Sequence, residues 1–112
     1  MAQDTGAPVH LGLPDTTEQE SQPTINTTPS VLIDADPMRQ ELIVVNGGSY
    51  DLWIGLTAQV TTGKGIRVAA SGGQMILQRF YDHSLTGRRL YALAETAAQT
   101  PYVLAVTRYR EG

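Results

Sequence analysis

No cysteine occurs among the 112 residues, which excludes a disulfide scaffold and any thiolate metal site. Basic excess is lacking too: 8 Lys+Arg face 11 Asp+Glu, a net charge of -3. That balance argues against a general nucleic-acid binder, which normally carries a basic footprint. Apolar runs stop at four or five residues, far short of the roughly 20 that span a bilayer. The opening Met1-Ala2-Gln3-Asp4 has neither the basic start nor the apolar stretch of a signal peptide. The expectation is a soluble protein of a reducing compartment, with neither membrane nor nucleic acid as partner.

Charge is unevenly placed. Residues 1–30 hold Asp4, Asp15, Glu18 and Glu20 and no Lys or Arg, so all eight basic residues fall in 31–112 with the other seven acidic ones. The first segment is rich in Thr, Gln, Ser and Pro, and its few aliphatics, Val9, Leu11, Leu13 and Ile25, follow no period. A stretch that buries so little apolar surface cannot offset its chain entropy. Residues 1–30 therefore read as an extended polar arm and residues 31–112 as the folded domain, with those four aliphatics as candidate partner contacts.

From residue 31 short β-branched and aromatic runs alternate with turn residues. They are Val31–Ile33, Glu41–Val45, Tyr50–Leu56, Gly65–Ala69, Gln74–Tyr81, Leu90–Ala94 and Tyr102–Tyr109. Asn46-Gly47-Gly48 between two of them is a hairpin signal, because Asn and Gly accept the positive φ of tight turns. About seven runs at intervals of roughly 8–15 residues predict an all-β fold, a small β-sandwich or jelly-roll-like barrel. Only Leu90 to Gln99, with its Ala and Leu content, competes as a helix. Trp53, inside an apolar run, reads as core.

Possible chemistry is thin. Asp82-His83-Ser84 contains the residue types of a catalytic triad, but neighbours on an extended chain point alternately and do not converge. Thr62-Gly63-Lys64-Gly65 fails the phosphate-loop pattern, since Ala58 stands where its first Gly belongs and Gly65 where its hydroxyl belongs. The two histidines, His10 and His83, are a poor basis for zinc. Asp34, Asp36 and Asp51 could in principle hold calcium, yet Asp36-Pro37 is better read as a turn. No catalytic, cofactor or metal residue is therefore assigned. Arg88-Arg89 with Arg79 and Lys64 form a basic group suited to a partner protein, and Tyr81 and Tyr109 are the aromatics best placed to meet a sugar.

Three blocks resemble a family of small structural proteins of tailed bacteriophage particles. The first runs from Arg39 through Leu42, Val44 and Asn46 to Gly48, followed by Leu52-Trp53-Ile54-Gly55. The second is Gly65-Ile66-Arg67-Val68 followed by Gly72-Gly73. The third is Gly87, then Leu90-Tyr91-Ala92-Leu93-Ala94. Together they cover about half of the chain, and the arm has no counterpart. The resemblance implies a non-enzymatic virion protein, assembled in the host cytoplasm, of the capsid decoration or cement kind. Its partners would be the major capsid protein and further copies of itself, with a trimer the expected oligomer. A head–tail connector, a tail or fibre component, or a carbohydrate-binding module on the particle surface are the alternatives.

Overall fold

The computed structural model describes residues 16–108. Among them eight strands form: β1 (Thr16–Ser21), β2 (Ser30–Ile33), β3 (Arg39–Asn46), β4 (Leu52–Gly55), β5 (Ile66–Val68), β6 (Gly73–Gln78), β7 (Leu90–Ala94) and β8 (Tyr102–Arg108). A one-turn helix α1 (Arg79–Asp82) and a 3-10 turn (His83–Gly87) lie between β6 and β7. Two four-stranded antiparallel sheets result, ordered β1-β8-β3-β6 and β2-β7-β4-β5.

The all-β sandwich is thus the fold, and its strand order is that of a jelly roll, the double-sheet solution to closing an antiparallel β fold. Nearly every connection crosses from one sheet to the other; only β4 and β5 are both consecutive and paired. Alternation decides which side chains fill the space between. Leu42 and Val44 on β3, Met75 and Leu77 on β6, and Val103 and Ala105 on β8 face Leu32, Leu52, Ile54, Val68, Leu90, Ala92 and Ala94 of the other sheet. The intervening residues face outward.

Several sequence expectations need correction. The arm does not extend to residue 30: residues 16–30 belong to the sandwich. Thr16 to Ser21 pair with Arg108 to Val103 as a strand beyond the seven runs read from the sequence, and Ile25 is wholly buried, its N–H donating to the Gln99 carbonyl at 2.7 Å. A strand of Thr, Glu, Gln and Ser forms here because β8 supplies a ready ladder of backbone partners, which asks nothing of side-chain hydrophobicity. Ile25 is accordingly a core residue rather than a partner contact.

Asn46-Gly47-Gly48 does not close a hairpin, since β3 pairs with β6 and β8, and β4 with β5 and β7. Asn46 instead bolts this end of the sandwich: fully buried, it donates from Nδ2 to the carbonyls of Tyr50 (2.8 Å) and Val68 (3.0 Å). Gln99 closes the same end, bonding the Tyr50 backbone through both amide atoms. Trp53 sits opposite Leu93 and Arg67 on the outer face of the second sheet, half-buried, its indole N–H directed at Glu95. The Gln74–Tyr81 run leaves the sheet at Gln78, and Leu90–Ala94 is a strand. Val9, Leu11, Leu13, His10 and Tyr109 lie outside the described residues.

Candidate functional site

The β2–β3, β4–β5 and β6–β7 connections gather at the pole opposite Asn46. Their frame is polar and internal. Asp36 N–H donates to the Gly87 carbonyl at 2.9 Å. Gly87 is tightly enclosed, for a Cβ there would stand 2.6 Å from the Asp36 carbonyl oxygen. Arg39, only 2% exposed, donates to the carbonyls of Thr86 (2.7 Å), Asp34 (3.1 Å) and Arg88 (2.7 Å). Burial lowers its pKa; the nearby Asp36 charge works against that lowering and the Arg79 charge adds to it. A guanidinium nevertheless remains charged at any physiological pH.

Arg79 repeats the device one layer out, donating from Nη2 to the carbonyls of Pro37 and Arg39, both at 2.8 Å. Two arginines are therefore fixed by backbone carbonyls, with no carboxylate in ion-pair contact among the described residues.

The three arginines singled out from the sequence come together. Arg79, Arg88 and Arg89 line one open recess of about 540 Å³ with Ser84 and Tyr91, and none of its lining residues is acidic. Arg89 has a single carboxylate nearby, Asp34 at 3.5 Å, itself 80% exposed; such a surface pair contributes little. Lys64 is not part of this recess. It rims a second, apolar cavity of about 330 Å³ between the sheets, walled by Leu56, Val60, Ile66, Met75, Leu77 and Leu85. Gly65, at φ +153°, keeps that wall tight: a Cβ would meet the Ile54 carbonyl and Val60 at 2.8 Å.

Beside Arg79, the helix holds Phe80 and Tyr81 out at 82% and 70% exposure. Their rings meet edge to face, with centroids 4.9 Å apart. Phe80 is a site residue that the sequence pattern misses, because its apolar run reads as one continuous strand. The turn in direction comes at Gln78, whose N–H donates to the Asp82 carboxylate at 2.8 Å. The N-terminal strand also begins at this pole, for Thr16 pairs with Arg108, and Arg108 N–H donates to the Met38 carbonyl at 2.7 Å.

The remaining candidates do not assemble. Asp82 accepts the Gln78 N–H, His83 adopts φ 55° on the turn, and no hydrogen bond joins His83 to Ser84 among the described residues. Thr61 and Lys64 close a tight turn through paired backbone hydrogen bonds of 3.2 and 2.8 Å. Asp36 accepts the Met38 N–H at 2.9 Å, whereas Asp51 lies at the far end with Arg67 at 2.6 Å and the Ala70 N–H at 2.8 Å. Among the described residues no three His, Cys, Asp or Glu side chains come together as a metal site. No helix of the described residues is long and apolar enough to cross a membrane.

No family model, no curated protein and no solved structure matches this chain.

Proposed function

We propose that the protein is a non-enzymatic structural subunit of a phage-like particle, a capsid decoration or cement protein that seats on the major capsid shell and stabilises it. The observation that carries this reading is the pair Phe80–Tyr81, held largely in solvent beside an arginine recess. Aromatic side chains and arginines are the residues enriched where protein surfaces meet, and large exposed apolar groups mark such surfaces. The segment carrying Val9, Leu11 and Leu13 joins the domain at this same pole and serves as the clamp. A segment that binds as an added strand gains backbone hydrogen bonds and small apolar anchors on its partner. The resemblance of the three sequence blocks supplies the virion context.

The test is particle binding by a chain lacking residues 1–15, a cut that leaves β1 whole. The shortened protein should keep its sandwich and lose shell binding; saturation of the shell by that protein would refute the clamp. Copy number per particle separates the shell reading from a connector or fibre part, hundreds favouring the former and six or twelve the latter. A sugar platform is the less favoured reading, because the perpendicular Phe80 and Tyr81 rings present no flat surface; glycan binding that disappears with Tyr81→Ala would reinstate it.

A further inference from the structure

We propose that the arginine recess takes the carboxylates of a second copy of this chain, those of Glu18 and Glu20 on the edge strand β1. This deepens the oligomer part of the reading above and does not depend on a particle.

The recess asks for an anion. Three arginines line it without an acidic lining residue, Arg89 meeting only the exposed Asp34 at 3.5 Å, and the hydroxyl-bearing Ser84 and Tyr91 are part of its wall. Arg79 is oriented by backbone carbonyls alone, so its charge is placed but not neutralised. Arg88 has no hydrogen-bond or ion-pair partner for its guanidinium among the described residues. Fixed, planar guanidinium forks suit carboxylates, which they can hold through two parallel hydrogen bonds.

The chain carries a matching group outside the recess, on the first sheet. Glu18 and Glu20 stand across from Val106 and Leu104 in the β1–β8 ladder. The alternate residues Val103 and Ala105 are in the core, so both glutamates project from the outer face of the first sheet. Both are exposed, and among the described residues β1 is an outermost strand whose other side pairs with no strand. Tyr102 shares that outer face, and its pKa is raised first by desolvation and then by the nearby Glu20. Tyr91, in the recess, projects from the outer face of the other sheet, since it alternates with the core residues Leu90 and Ala92.

Within one molecule neither glutamate lines the recess or pairs with its arginines, among the described residues. Two molecules can bring them together. The contact joins unlike surfaces, and a head-to-tail interface of that kind closes into a ring or propagates, which suits a subunit repeated over a shell.

The experiment is sedimentation velocity on the purified full-length chain and three variants. The wild type should self-associate at low salt, with the association constant falling about tenfold or more towards 1 M salt, where the Debye length shrinks from about 10 Å (at 0.1 M) to about 3 Å. Arg88→Glu/Arg89→Glu and Glu18→Lys/Glu20→Lys should each be monomeric, with circular dichroism and melting midpoints like the wild type. Mixed, they should assemble again, because each reversed surface now meets its complement. The milder Glu18→Gln/Glu20→Gln, which cannot misfold through charge reversal, should also be monomeric.

A wild type that is monomeric at every salt, variants that assemble like it, or a mixture that stays monomeric would overturn the contact. So would a monomer held on heparin or an oligonucleotide through Arg88 and Arg89, which would assign the recess to a polyanion. Shell binding is scored separately: a monomer that still coats particles sinks this contact alone, and an oligomer that ignores them sinks only the attachment reading.

Discussion

Arg39 Nε donates to the carbonyl oxygen of Thr86 at 2.7 Å across 47 residues of chain, tying the start of β3 to the turn that precedes β7. With its bonds to the Asp34 and Arg88 carbonyls, one side chain holds together the β2–β3 and β6–β7 connections on which the recess is built. Replacing Arg39 with Met should cost about 2–4 kcal/mol, because three enclosed carbonyls lose charged donors at once. Arg39→Lys should recover only part of this, having no planar fork. Urea unfolding measures both; an Arg39→Met variant as stable as the wild type would show that water replaces the guanidinium without penalty.

Ile25 is completely buried although it lies in the polar N-terminal third of the sequence. Ile25→Ala should cost roughly 2–5 kcal/mol, as large-to-small changes in a close-packed core do. Removal of residues 1–15 should leave the unfolding midpoint nearly unchanged. Equal effects of the two changes would place the boundary of the folded unit wrongly.

The Asp51 carboxyl is held below its ordinary range by the Ala70 N–H and by Arg67, whose hydrogen bond and charge outweigh partial desolvation. A depressed folded pKa stabilises the native state above the ordinary carboxylate range, and the contribution disappears as pH falls through the folded value. Wild type should therefore lose stability relative to Asp51→Asn below about pH 4 and lead it at neutral pH. A parallel pair of stability curves from pH 7 to pH 2 would remove Asp51 from the acid limb.

The Thr86 hydroxyl is buried and has no hydrogen-bond partner among the described residues. Thr86→Val keeps the shape and the carbonyl used by Arg39 while removing an unsatisfied polar atom, and should stabilise by about 1 kcal/mol. A destabilised variant in thermal or chemical melts would reveal a partner for that oxygen.

Much of the sandwich is legible from alternation: Leu42 and Val44 inward against Ile43 and Val45 outward, Leu52 and Ile54 inward against Trp53. What alternation cannot show is which strands meet. Asn46-Gly47-Gly48 has the chemistry of a hairpin turn, yet serves a crossing between sheets, because the partners of β3 come from residues 73–78 and 102–108. β1 escapes notice because it enters the fold through backbone hydrogen bonds and leaves four of its six side chains exposed. The basic group at Arg79, Arg88 and Arg89 is visible as composition. Its convergence is not, since it depends on α1 and the 3-10 turn folding the intervening residues back, and on Arg39, whose burial no local pattern announces.

The last strand, Tyr102–Arg108, lies between the first and the third. During synthesis β1 and β3 keep open edges towards one another until β8 has emerged from the ribosome, because that strand fills the place between them. Completion of the first sheet thereby waits on β8, at the slow pace of distant strand pairing. Until then the unpaired edges invite aggregation. Production at low temperature, or slow refolding from denaturant, is the practical corollary.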